Sequence, residues 1–257
     1  MKKISLIISI MFVQLTACSN HPDTLLQEAN YPTQEVFSGD IVLDKAWKKF
    51  EELELQTDEE IMSNDGYDVL ITVNSNTITR TDNERIYNSE LKTKRGKIIG
   101  TNGGEWGGEI KYIPNFGLGY DLVNKNFLGF YMIDNRAFVL TGLGHMTVDE
   151  GSIYELLYTN GRWKAEYVLD LNSEPQTYLI INNTLYVVTN KSLLLIEDNK
   201  ITKSIYGKNM WNSLYPNSMI VVNSTVYFGI RGGMISVNTN NNTIERYVLD
   251  ASINEKK

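Results

Sequence analysis

Cysteine is nearly absent from this chain: Cys18 is the only one in 257 residues. No disulfide can form within one chain, and no cluster of thiolates can hold a metal or supply a redox pair. Histidine is almost as scarce, with only His21 and His145, which excludes a histidine-rich zinc centre. Excess positive charge is missing too: 24 Lys and Arg stand against 31 Asp and Glu, for a net charge of −7. A nucleic-acid partner calls for a basic stripe, and docking on anionic headgroups calls for basic charge as well; the acidic balance argues against both. The chain also lacks a long apolar run. Its longest, Ile4 to Val13, falls well short of the roughly 20 residues needed to cross a bilayer core of about 30 Å.

What does stand at the start is Lys2, Lys3, that short apolar run, and then Leu15-Thr16-Ala17-Cys18. A basic end, an apolar stretch and small residues form the plan of a secretory signal. The four residues resemble the lipobox of bacterial lipoproteins. The resemblance implies a signal peptide over 1–17, a diacylglyceryl group on the Cys18 thiol, and acylation of the new amine. Ser19 follows the cysteine where an aspartate would argue for retention at the inner membrane. The implied location is the cell envelope: the outer membrane in a two-membrane cell, the outer surface of the membrane otherwise. Several acyl chains give stable attachment where one is marginal, so the lipid is the expected membrane contact.

Residues 18–40 are mixed and polar, with Pro22 and Pro32, and read as a tether. One amphipathic stretch follows over 43–55. Ala46, Trp47, Phe50 and Leu53 recur at helical spacing and Lys48, Lys49, Glu51, Glu52 and Glu54 fill the other side, predicting a short helix capped by Asp44. From Tyr67 the texture becomes short β-rich runs separated by Asn, Asp and Gly, which points to an all-β domain. The runs repeat. Tyr131 to Val139, Leu179 to Val187 and Ile220 to Phe228 each hold an apolar strand, a polar turn and a second strand carrying an aromatic. A third strand follows each, at Ser152 to Leu156, Leu193 to Ile196 and Met234 to Val237, and an earlier copy spans Lys97 to Ile113. The turn residues Asn135, Asn183 and Ser224 lie 48 and 41 residues apart, a blade-sized period. This spacing resembles divergent β-propellers of bacterial envelope proteins, although the Trp-Asp and Gly-His signatures of the best-known propeller family are absent. The resemblance implies four or five blades within one domain over 41–250, followed by a tail over 251–257. A β-sandwich or a simple meander is the alternative.

Aligning the repeats singles out the turns between second and third strands. Two are minimal, at Lys191-Ser192 and at Gly232-Gly233 after Arg231. Two are enlarged: 102–108, which carries Glu105 and Trp106, and 141–151, which carries His145, Asp149 and Glu150. If the repeats are equivalent, Glu105, Trp106, His145, Asp149, Glu150, Lys191 and Arg231 share one face, and loops on a rigid scaffold are where binding residues concentrate. A Trp beside a carboxylate suits a sugar. The competing reading has Trp106 plugging the space between blades and Glu105 paired to Arg231 or Lys111. His145 with Asp149 or Glu150 is a candidate acid–base pair; the competing reading makes it a hydrogen-bonded structural group. No nucleophile elbow, phosphate loop or calcium loop accompanies these residues. No metal and no cofactor beyond the lipid on Cys18 is expected.

The sequence therefore points to a membrane-anchored binding scaffold for a protein or peptide partner, with no catalytic set among candidates Glu105, His145 and Asp149. A carbohydrate-binding or glycoside-cleaving protein is the alternative. Replacing Cys18 by alanine is expected to shift the protein from the membrane to the soluble fraction on cell fractionation. Continued tight membrane association of Cys18→Ala would contradict the lipid anchor.

Overall fold

Turn residues in the left-handed region set the hairpins. Asp134 with Asn135, Asn182 with Asn183, and Asp198 with Asn199 all have φ between 48° and 64°, a region that Asn and Asp tolerate better than other residues with side chains. Two such residues in succession give the turn whose twist matches paired strands. Asn223, at φ 52°, opens a further turn of this kind, so the Asn182 and Asn223 stretches are hairpin turns.

The computed structural model describes residues 42–45, 47–50, 68–74, 77–81 and 89–249. The expected signal peptide, Cys18 and its tether, and the tail over 251–257 lie outside the described residues. Among the described residues the turns join 20 strands into five sheets. Sheet I holds β1 (Val42–Leu43), β3 (Leu70–Asn74) and β4 (Thr77–Thr81). Sheet II holds β5 (Glu90–Thr93), β6 (Gly96–Gly100), β7 (Ile110–Pro114) and β8 (Tyr120–Val123). Sheet III holds β9 (Phe127–Ile133), β10 (Arg136–His145), β11 (Val148–Thr159) and β12 (Arg162–Asp170). Sheet IV holds β13 (Pro175–Ile181), β14 (Thr184–Thr189), β15 (Ser192–Glu197) and β16 (Lys200–Tyr206). Sheet V holds β17 (Ser218–Val222), β18 (Thr225–Ile230), β19 (Gly233–Asn238) and β20 (Ile244–Leu249), with β2 (Trp47–Lys49) along its outer edge.

Sheets II to V are antiparallel meanders with the same strand order. The first strands of sheets III to V lie innermost: β9 touches β13, β13 touches β17, and β17 touches β3. Burial follows position. All five residues of β17 are buried, whereas β16, at an outer edge, alternates between exposed and partly buried residues over most of its length. A strand covered on both faces reads as a continuous apolar run, and one covered on a single face alternates. Sheets II to V packed in succession, with sheet V packed on sheet I, make this an all-β, propeller-like fold rather than a two-layer sandwich.

Four apolar clusters hold the sheets together, between II and III, III and IV, IV and V, and V and I. The last contact brings the last described sheet back to the first. Trp211 fills the third of these interfaces. It is fully buried, donates its indole N–H to the Thr189 carbonyl at 2.9 Å, and meets Phe228 edge-on at 5.1 Å.

The helix expected over 43–55 is not formed in its described residues, 43–45 and 47–50. Its first part is the two short strands β1 and β2, and residues 51–55 lie outside the described residues. Two interactions outweigh the helical period here. The edge of β20 offers backbone groups that β2 satisfies in antiparallel register, and the Phe50 N–H adds a bond to the Arg246 carbonyl at 2.8 Å. Trp47 is 7% exposed and donates its indole N–H to the Ile78 carbonyl at 3.0 Å, tying sheet V to sheet I. Trp47→Ala is expected to cost about 3–5 kcal/mol of stability, as large-to-small changes at buried aromatics do. Urea unfolding measures this, and an unchanged midpoint would contradict the role given to β2.

Candidate functional site

The connections between second and third strands are residues 101–109 in sheet II, Met146-Thr147 in sheet III, Asn190-Lys191 in sheet IV and Arg231-Gly232 in sheet V. Because these sheets share one strand order, the four connections leave from equivalent ends. They are the turns that the repeat alignment brought together.

In the first, two asparagines do the positioning. Asn102 Oδ1 accepts the Gly104 N–H at 2.8 Å, and its amide donates to the Phe127 carbonyl at 3.1 Å. Asn126, which leads into β9 and is 4% exposed, donates to the Gly104 carbonyl at 2.7 Å. Between them they fold Gly104–Trp106 into a single 3₁₀ turn, flanked by Gly104 at φ 60° and Gly107 at φ 85°. Both lie in the left-handed region that glycine adopts without strain. The loop is thereby fixed to the neighbouring sheet, yet Trp106 is 88% exposed. It does not plug the space between sheets.

The second differs from expectation. Residues 141–151 are not an enlarged loop: β10 and β11 continue as a ladder, pairing Gly142 with Gly151, Leu143 with Glu150, Gly144 with Asp149 and His145 with Val148. Only Met146 and Thr147 turn. Alternate residues of a ladder point to opposite faces, so His145 and Glu150 share one face and Asp149 takes the other. His145 with Asp149 is therefore not an acid–base pair. Instead, His145 Nε2 lies 2.8 Å from Glu105 Oε2, which joins the first two connections. Glu150 pairs with Lys125 at 2.5 Å.

Asp149 faces the other way, toward sheet IV. It accepts hydrogen bonds from Ser173 Oγ at 2.9 Å, the Glu174 N–H at 2.7 Å and Asn190 Nδ2 at 3.3 Å, and pairs with Lys191 Nζ at 2.6 Å. Burial pushes its carboxyl up, but Lys191, the Glu174 N–H, Ser173 and Asn190 together hold it below the usual carboxylate range. Gly144 and Gly151 permit this contact. A Cβ at Gly144 would stand 2.4 Å from Glu174 Oε2, and one at Gly151 2.3 Å from the Ser173 carbonyl oxygen. The glycines of this segment thus serve close packing.

The remaining expected members separate. Arg231 lies at the seam between sheets V and I, its Nε 3.7 Å from Asp68 and its guanidinium 4.4 Å from the Tyr215 ring centre. Lys111 pairs with Glu109 at 2.6 Å and Asp121 at 3.2 Å. Glu105 meets neither. Among the described residues, no group of three or more His, Cys, Asp or Glu is placed to hold a metal. Between sheets II and III a groove of about 560 Å³ opens, lined by Trp106, Glu109, Lys125, Asn126, Leu143 and Glu150 among others.

Sequence reasoning missed Asn126, Ser173, Glu174 and Asn190, which hold the candidate residues in place. All lie between strands, at junctions where neighbouring sheets meet, and nothing in their local pattern sets them apart from ordinary turn residues. The only signal for Asn126 is a polar Asn124-Lys125-Asn126 run before an apolar strand.

No family model matches the chain, and no curated protein matches it. Among solved structures it is similar to a catalytically inactive virginiamycin B lyase from Staphylococcus aureus, solved with quinupristin. The identity is 12% and the TM-score 0.40, over 80% of this chain and 89% of the other. It is also similar to the N-terminal domain of Nup159, at 11% identity and a TM-score of 0.26, over 68% of this chain and 58% of the other.

Asp149 makes a testable linkage. Its native carboxyl keeps its charge to lower pH than in the unfolded chain. Its contribution to stability is therefore complete above the ordinary carboxylate range and is lost as pH falls through the native value. Asp149→Asn is expected to cost about 1–3 kcal/mol near neutrality and to flatten the acid limb of a stability-versus-pH curve. An unchanged acid limb would refute the assignment.

Proposed function

We propose that the protein is an envelope lipoprotein, anchored through acyl chains on Cys18, whose radial β domain is a non-enzymatic binding scaffold for a protein or peptide partner. One observation carries the reading: Trp106 is 88% exposed on a loop held by Asn102 and Asn126, beside the groove between sheets II and III. An indole presented on a pre-ordered loop binds without the entropy cost of ordering that loop, and Trp is among the residues that most often dominate interface energetics. The charged groups around it are engaged with one another, Glu105 with His145 and Glu150 with Lys125. That supports recognition through the indole and the groove.

A carbohydrate ligand is the second reading, favoured by the same exposed ring next to Glu109, Lys125 and Glu150, since an indole can stack on the apolar face of a sugar while polar groups take its hydroxyls. In either case Trp106→Ala is expected to weaken binding by about 2 kcal/mol or more while leaving thermal stability unchanged. Affinity capture from detergent-solubilised membranes with wild-type and Trp106→Ala proteins, alongside a glycan array, separates the readings. A partner recovered equally by both proteins, with no glycan signal, would sink the role of this face.

A further inference from the structure

At the opposite ends of sheets II and III lies a second groove, of about 700 Å³, with a different chemistry. It is lined by Lys94, Arg95 and Arg162, by Tyr112, Tyr120 and Tyr158, and by Phe116, and no carboxylate lines it. These residues lie in the first-to-second and third-to-fourth strand connections or in the strand ends beside them, so the groove faces away from Trp106.

Lys49, Lys97, Lys111, Lys125, Arg136, Lys191 and Arg231 each stand against an Asp or Glu, while scattered exposed lysines such as Lys164 and Lys208 do not. What sets this groove apart is that three cations share one lining that holds no carboxylate. Among the described residues, Lys94, Arg95 and Arg162 have no such partner. In a chain of net charge −7, three unpaired cations at one groove need an explanation.

The two guanidiniums are also held in place. Arg162 lies 4.3 Å over the Tyr120 ring, a cation–π arrangement. Arg95 donates to the Tyr158 hydroxyl at 2.9 Å, and its backbone carbonyl accepts from the Tyr112 hydroxyl at 2.8 Å. The turn carrying Arg95 is tied to the next hairpin by the Asn115 N–H, 2.8 Å from the Arg95 carbonyl oxygen. That hairpin exposes Phe116 at 93% and Leu118 at 94%. Oriented guanidinium forks match carboxylates in a bidentate way, and the exposed Phe116 and Leu118 offer apolar contacts alongside.

We propose that this groove binds an acidic polypeptide segment, with its carboxylates on Arg95 and Arg162 and an apolar side chain against Phe116 and Leu118. A bilayer surface would be met by mobile lysines on a convex face, whereas here the cations are fixed arginines in a concavity. A glycan would leave the apolar hairpin tip without a counterpart. The site is independent of the Trp106 face, and the partner chemistry follows from charge complementarity at this groove alone.

The test uses the full chain in detergent micelles and an array of short fluorescent peptides graded in glutamate content, each beside its glutamine counterpart. Phosphatidylglycerol-doped micelles and polygalacturonate serve as the alternative anions. Affinity should rise with glutamate content, fall with added salt, and drop about tenfold in Arg95→Gln and in Arg162→Gln. Lys200→Gln should leave it unchanged. Thermal melts check folding, and Arg95→Lys, which keeps the charge but not the fork, should fall between wild type and Arg95→Gln. The proposal is overturned if no glutamate peptide binds better than its glutamine counterpart. It is equally overturned if binding survives both arginine substitutions, or if the lipid or polygalacturonate binds through these arginines and the peptides do not.

Discussion

Burial of both faces of the innermost strands is the constraint on which this architecture depends. A single antiparallel sheet covers one face at best, and a strand such as β17, buried along its whole length, is stable only with a sheet on each side. The chain meets this by stacking sheets II to V in succession and sheet V on sheet I, with an apolar cluster at each of these four junctions. It returns sheet V to sheet I, so that Met219 and Val221 face the fourth sheet's cluster while Ile220 and Val222 face the first's. Once that packing is in place, the strand ends are fixed, and with them the positions from which connections project.

Much of the strand pattern was legible because it is local. The Asn turns need a backbone region that few residues tolerate, and β-branched runs flank them, so the hairpins around Asn135, Asn183 and Asn223 stand out in one dimension. The spacing of those turns implied repeated sheets. The N-terminal strand β2 was not legible, because its conformation is set by a partner about 200 residues away, at Tyr247 to Leu249. The spacing of Trp47 and Phe50 is compatible with a helix, and only the free edge of β20 decides against it. The segment 141–151 misled for a related reason. Three glycines suggest a loop, but here the missing side chains admit Glu174 and Ser173 from the adjoining sheet.

That distinction reshapes the candidate site. Expected as one cluster, its residues divide according to which face of the β10–β11 hairpin they occupy. His145 and Glu150 turn toward sheet II, where Glu105 and Lys125 meet them. Asp149 turns toward sheet IV and locks that junction through Lys191. The hairpin thus works as a wedge joined to both neighbours, and the charged side chains that looked catalytic in sequence hold it. What these turns leave uncovered is an indole, Trp106, on a turn that two asparagines hold in place.

The most direct test of that view is site-specific photocrosslinking in intact cells, with a photoreactive amino acid at position 106 and the same probe at Tyr167, an exposed residue on β12. The account predicts a discrete light-dependent polypeptide adduct from position 106 and none from position 167. No adduct from position 106, or the same adducts from both positions, would contradict it.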